Sequence, residues 1–154
     1  LEKEARTGNP KAFPFPRTFL KEDRLEFSFS GIKTAVLYTA QGQDAKETGL
    51  IGPGQKRADL AASFQQAVVD VLVGKAIQAV HRLNLNRLAV GGGVTANSVF
   101  RKALEDACRK SGIELFIPAK ELCTDNAGMA ALAIEKYHRK EFADLTLDAE
   151  ANFL

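Results

Sequence analysis

Cysteine, histidine and methionine are all scarce in this 154-residue chain, and their scarcity excludes much. Cys108 and Cys123 do not make the CxxC pair of a metal knuckle. One falls in a predicted helix and the other in a loop, so a reduced pair is expected rather than a disulfide. His81 and His138 lie far apart, each on a helix whose neighbours are not metal ligands. They form no HExxH motif, and no Ser–His–Asp set can be argued. His138 stands in a last helical turn, where the dipole favours its cation. Met129 is the only methionine, so the chain does not open on one. Charge of one sign is lacking too: a net +2 does not by itself argue for nucleic acid. No run approaches the ~18 apolar residues of a membrane span. The opening LEKEARTGNP lacks the apolar core of a signal peptide, and a cytoplasmic location is the expectation. Neither GxGxxG nor GxxxxGK[ST] occurs.

What is there suits one compact domain over 1–154, with 45% hydrophobic and 26% charged residues. LEKEAR reads as a helix that TGNP stops, with Gly8 as C-cap and Pro10 beyond. A chain that opens inside a helix reads as a fragment of a longer polypeptide or a processed product. Residues 1–26 form a connecting segment whose Pro-rich, charged part, with FPFPR at 13–17, is expected to be extended. LEFSFS (25–30) alternates like a short strand, and Ser30 can N-cap a helix to about Ala40. Residues 41–55, rich in glycine, read as a long loop.

Residues 56–84 give the strongest helix, with Leu60, Phe64, Ala67, Val68, Val71, Leu72, Ala76, Ala79, Val80 and Leu83 at three- and four-residue steps. Gly74 weakens it by ~1 kcal/mol relative to Ala, which a close packing contact would explain. RLAV (87–90) is a strand, 95–111 a helix ended by SG, and IELFIP (113–118) a strand stopped by Pro118. KELCTDN is a loop, and 126–139 is a helix with Met129, Leu132, Ala133 and Tyr137 on one side. The tail, 141–154, has no clear period. Helix, strand, helix, strand, helix in this order predicts an α/β domain with a short parallel sheet and helices on its faces, its core at 27–140.

Three glycines, Gly91–Gly93, stand where open α/β sheets bind ligands, at the carboxyl end of a strand. Bare backbone lets a base or ribose approach, and the next helix offers unpaired N–H groups. A purely structural turn explains the same glycines. Asn97 in the following turn suits ribose hydroxyls or a base edge, or else caps the helix. Asp125 stands where helix N-caps stand, and also on the rim shared with the glycines, where a carboxylate could ligate a metal. Lys33, opening a helix, suits either a phosphate or plain solvent exposure; Ser30 and Gly31 beside it serve the turn equally well. Arg17, Lys21 and Arg24 near Lys33, and Lys56 beside Arg57, read as a solvated basic surface.

FSFSGIKTAVL (27–37), LAVGGGVTANSVFRKAL (88–104) and CTDNAGMAALA (123–133), in this order and spacing, resemble the TsaD/Gcp family over residues 10–140. These are the tRNA adenosine threonylcarbamoyltransferases, formerly labelled O-sialoglycoprotein endopeptidases or glycoproteases. The resemblance implies two lobes of actin/sugar-kinase (ribonuclease H-like) type, of which this chain is the C-terminal one. It implies transfer of threonylcarbamoyl from its adenylate to N6 of the adenosine next to the anticodon. Gly92, Gly93 and Asn97 then contact the adenine nucleotide or adenylate, and Gly91 is a plain turn residue. Lys33 is a candidate phosphate contact. Asp125 becomes one ligand of a divalent iron or zinc whose two histidines sit in an HxxxH helix absent here. Such a metal would polarise the carbamoyl carbonyl or stabilise the leaving phosphate. With those ligands missing, no complete catalytic set is present and the isolated chain is expected to be inert. The family implies tRNA as substrate, a TsaB-type paralogue and an ATPase as partners, and no membrane. An inner surface bared without the sister lobe is expected to self-associate. Competing readings are a lobe of a sugar-kinase-like ATPase, the metal-dependent glycoprotease of the older label, and a non-catalytic interaction domain.

Overall fold

The computed structural model describes residues 1–42 and 51–148. Within the expected 41–55 loop, residues 43–50 lie outside this range; so do residues 149–154 of the tail. The elements are α1 (Glu2–Ala5), α2 (Ser30–Gln41), α3 (Gln55–Arg82), β1 (Arg87–Ala89), α4 (Ser98–Lys110), β2 (Glu114–Phe116) and α5 (Ala131–His138). Short 3-10 turns cover Gly93–Ala96, Lys120–Leu122 and Ala127–Ala130.

β1 and β2 pair in parallel, with Arg87 opposite Glu114, Leu88 opposite Leu115 and Ala89 opposite Phe116. α4 makes the crossover between them. Leu88 and Leu115 face a core built by Val69 and Val80 of α3, Phe100, Leu104 and Cys108 of α4, and Ile113. Burial pushes the Cys108 thiol pKa up. Both cysteines are free and buried. Helices were expected on the faces of the sheet, but α3 and α4 share one of them. On the other, Arg87, Ala89, Glu114 and Phe116 are exposed, because these strands alternate instead of running apolar throughout.

α3 is the hub of the fold. Beyond the sheet core, Ala61 and Ala62 pack against Ala5 of α1, and Ala67 packs with Phe15 and Ile32 of α2. This many-sided packing changes which side chains are covered. Ala67, Val71 and Val80 are buried as expected, with Ser63, Gln65 and Lys75 beside them. Phe64, Val68 and Leu72 are only half-buried, and Leu83, just past the helix end, is exposed. By length and composition α3 is also apolar enough to cross a membrane, although it holds no uninterrupted apolar run of that length. Its polar residues, however, are engaged by other parts of this chain.

Those polar residues form a stripe that fastens the connecting segment. Asp59 accepts from the Asn9 amide at 2.7 Å. Ser63 accepts from Phe13 N and donates to Asn9 O, both at 3.1 Å. Asp70 receives Arg17 through Nε (3.1 Å) and Nη2 (2.9 Å). Lys75, 2% exposed, donates to Glu22 O (2.8 Å), Arg24 O (2.5 Å) and Gln78 Oε1 (2.8 Å). Gly74 lies in the stripe because Leu20 covers it: a Cβ there would stand 2.4 Å from Leu20 Cδ1. The expected close contact at Gly74 is therefore present. The basic surface is likewise partly built in, with Arg24 over the Phe19 ring and Arg57 paired with Glu4.

Four local expectations are corrected. Residues 25–29 form no strand: among the described residues no neighbouring strand satisfies their backbone, although Phe27 and Phe29 stack at 6.2 Å. Ser30 is the first residue of α2, not its cap; Phe29 occupies the cap position. Gly8 is not the C-cap of α1, which ends at Arg6 in ordinary helical geometry. Gly8 is needed for close approach instead, since a Cβ would stand 2.0 Å from the Ala58 carbonyl oxygen on α3. The helix expected from 126 begins as a 3-10 turn and becomes α-helical only at Ala131, with Met129 and Tyr137 exposed. The Leu132 side chain lies outside what is described. α4 ends as expected: Gly112, with φ 66°, follows Ser111.

Candidate functional site

The parallel pairing sends β1 and β2 to a common edge at their carboxyl ends. Val90 N extends the ladder to Phe116 O at 3.0 Å, and the glycines begin there. Of the three, only Gly92 has a left-handed φ, 89°. Gly92, and not Gly91, is thus the residue the turn itself requires. Its carbonyl accepts from Thr95 N (3.0 Å) and Thr95 Oγ1 (2.6 Å), closing the 3-10 turn around a buried threonine. A Cβ at Gly91, Gly92 or Gly93 would meet no heavy atom within 4 Å. The glycines leave bare backbone facing open space, so packing does not explain Gly91 and Gly93.

Asn97 closes the turn and starts α4. Its Oδ1 accepts from Phe100 N at 2.9 Å, the N-cap bond, and its Nδ2 donates to Gln65 Oε1 at 2.8 Å. The capping reading of this residue is therefore realised, and both ends of its amide are occupied. Ser98 N donates to Glu2 Oε1 at 3.3 Å, and the Ser98 hydroxyl donates to the same oxygen. These bonds hold the Glu2 carboxyl pKa below its usual range. The N–H groups of α4 expected to be free for an anion are thus engaged at Ser98 and Phe100 from within the chain, and a carboxylate already sits at the positive end of the helix.

Lys33 and the glycine turn meet at one groove of about 700 Å³. The cap residue Phe29 and Lys33 of α2 form one side, Phe64, Val68 and Leu72 of α3 the floor, and Val94 of the turn the other side. Its size falls in the range of small-molecule sites, roughly 300–1,000 Å³. Asp125 is not in this groove. It is exposed, on the turn that follows β2 at the same sheet edge. Its alternative role as a cap belongs to Asn126, whose Oδ1 accepts from Gly128 N at 2.9 Å. Among the described residues no three His, Cys, Asp or Glu side chains come together as a metal set, so these residues do not by themselves fit a resident metal.

Sequence reading missed three residues that organise this edge. Gln65 lay on the predicted buried helix, where a polar residue among apolar steps was its signal. Glu2 gave none, because its partner is far along the chain. Arg101 stands one helical turn after Asn97 and reaches the turn of Asp125, with Nη2 2.7 Å from Pro118 O and 3.5 Å from Cys123 Sγ.

Comparison with known proteins identifies the family. The family model described as TsaD, tRNA N6-adenosine threonylcarbamoyltransferase, matches residues 1–132. A protein of that name from Moorella thermoacetica is 46% identical over 151 residues, covering 97% of this chain and 42% of the relative. One from Syntrophotalea carbinolica is 44% identical over 156 residues, 99% of this chain and 44% of the relative. One from Thermosipho africanus is 41% identical over 153 residues, with the same two shares. The chain spans less than half the length of these curated relatives. It belongs to the TsaD family, the tRNA N6-adenosine threonylcarbamoyltransferases.

Proposed function

We propose that this chain is the C-terminal part of an enzyme that transfers threonylcarbamoyl from its adenylate to N6 of the adenosine next to the anticodon of tRNA. The observation that carries the reading is the open glycine turn at the carboxyl end of β1 in a member of this family. Gly92 and Gly93 offer bare backbone to the adenosine of the nucleotide or adenylate. Asn97 is the third contact of this set, and its cap bonds to Phe100 and Gln65 make that contact one of turn geometry. Lys33, at the rim of the adjoining groove, meets a phosphate of tRNA or nucleotide.

Asp125 supplies one donor toward iron or zinc in the full protein, with the remaining donors outside this chain. The isolated chain is accordingly inactive, and it self-associates through its exposed groove. A TsaB-type paralogue and an ATPase are the partners of the full protein, in the cytoplasm.

Two preparations test the reading: the 154-residue chain and the full-length protein that carries it, each given tRNA and threonylcarbamoyl-adenylate with the partners. Modified tRNA is expected from the full-length protein alone. Product from the isolated chain would sink the claim of inactivity, and none from the full-length protein would sink the transferase reading. Metal analysis of the full-length protein with and without Asp125→Ala checks the donor role; unchanged metal content would remove it.

A further inference from the structure

We infer that Arg101 is a positioning residue for this site: its guanidinium fixes the turn that carries Asp125 against the helix that follows the glycines. The inference rests on the role proposed for Asp125.

The 118–126 turn is small and largely exposed, and its internal bonds are local. Cys123, 1% exposed, points its sulfur at Ala119 O (3.3 Å) and Pro118 O (3.9 Å). Asn126 Nδ2 donates to Thr124 O (2.8 Å) and Leu122 O (3.4 Å). Among the described residues, the side-chain hydrogen bonds that reach this segment from outside all come from Arg101. One nitrogen, Nη2, touches both the end of β2 at Pro118 and the thiol two positions ahead of Asp125. Arg101 sits on the same face of α4 as Asn97, one turn further on. Gln65, Asn97, α4, Arg101 and Cys123 thereby run as a continuous connection from α3, past the glycine turn, to the Asp125 turn.

The second observation is the Nε of Arg101, which is buried without an acceptor. A buried donor left unpaired costs free energy, so an arginine is a poor choice for packing alone. What arginine provides is a planar guanidinium whose Nη2 carries two N–H donors at a fixed angle, serving Pro118 O and Cys123 Sγ together. A methionine would fill the same space without the orphaned donor, and a lysine would keep the charge without the fixed angle.

The test uses the full-length protein with Arg101→Met and Arg101→Lys. Three readings are taken: kcat and KM for tRNA in threonylcarbamoyl transfer, amide exchange over 118–126, and the thermal midpoint. Loss of a residue that orients a ligand typically costs 10–100-fold, so kcat is expected to fall by about that factor in Arg101→Met, with KM for tRNA within about twofold. Arg101→Lys should fall between Arg101→Met and wild type. Exchange over 118–126 should rise while the thermal midpoint holds, which a merely structural role would not produce. A kcat within about twofold of wild type with unchanged exchange would overturn the inference, as would a kcat loss that only tracks a lowered midpoint. If Arg101→Met does not fold, Arg101→Lys is judged by the same criteria. If the wild-type protein shows no transfer, the function proposed above fails, and exchange decides the positioning role: raised in the variants supports it, unchanged overturns it.

Discussion

Lys75 offers the sharpest test of how the connecting segment is held. It lies almost wholly buried in α3, and among the described residues no carboxylate is within its hydrogen-bond reach. Its three acceptors, Glu22 O, Arg24 O and Gln78 Oε1, equal the three protons an ammonium can donate. In Lys75→Met the three do not suffer alike. Glu22 O keeps a second donor, Gln78 Nε2 at 3.0 Å, and Gln78 is near enough to the surface to find water. Arg24 O is the group left without its donor. A part-buried carbonyl stranded in this way costs at most about 1–3 kcal/mol, and relief of the buried charge offsets part of it. A net loss of about 1 kcal/mol, at a urea slope of about 2 kcal/mol/M, moves the unfolding midpoint of the chain down by about 0.5 M. Lys75→Ala should fall further, because it adds a cavity. Amide exchange over 18–25 should rise in both. A Lys75→Met midpoint equal to or above that of wild type would refute the reasoning, since the ammonium would then be a tolerated burden and not the clasp of the segment.

The glycines separate backbone need from ligand need. Gly92→Ala forces a Cβ into a left-handed φ and should cost roughly 1–2 kcal/mol, read by thermal melting, whereas Gly93→Ala enters open space and should leave the melt alone. In the full-length protein Gly93→Ala should nonetheless weaken an adenylate analogue; undiminished affinity would count against the proposed adenosine contact. Gly8→Ala drives a Cβ into the Ala58 carbonyl and should cost about 1–3 kcal/mol or more, against α1 undocking; a neutral melt would refute the close approach. Glu2 carries a pH signature. Its pKa is depressed in the fold, so its contribution is full above the unfolded value and is lost as pH falls through the folded one. The stability difference between wild type and Glu2→Gln should therefore shrink on acidification from ~pH 5 to ~pH 3, and a constant difference would show that the Ser98 bonds do not matter.

How much of this was legible in the sequence depended on range. The β1–α4–β2 unit could be read because its period, its Gly112 stop and its Pro118 are local signals. So could the glycine turn at a strand end. Residues 25–30 failed because alternation describes side chains, whereas a strand also needs a neighbour for its backbone, and the described residues provide none. The polar stripe of α3 could not be read, because Asp59, Ser63, Asp70 and Lys75 look like a solvated face until the segment 9–24 lies across them. Gly8 looked like a helix stop for the same reason: its constraint is a carbonyl fifty positions away.

The capping of α4 changes what the glycine turn can be asked to do. A glycine-rich loop before a helix invites the reading that phosphate sits on the helix N-terminus. Here Asn97 fills the Phe100 N–H, and Glu2 brings a negative charge to the Ser98 N–H. A phosphate placed there would displace the cap and face a carboxylate. Bare backbone at Gly91–Gly93, with a carboxylate already at the helix end behind it, suits a flat, uncharged surface such as a nucleoside better than an anion. Lys33, across the groove, is the residue proposed above for the phosphate. On the proposed reading of this turn as a nucleoside floor, Ser98→Ala should loosen α1 by freeing Glu2 without creating an anion site, so added phosphate should give no stabilisation. A rise in melting temperature with phosphate in Glu2→Gln, but not in wild type, would show that Glu2 alone had kept the anion out; a rise in wild type would refute the argument.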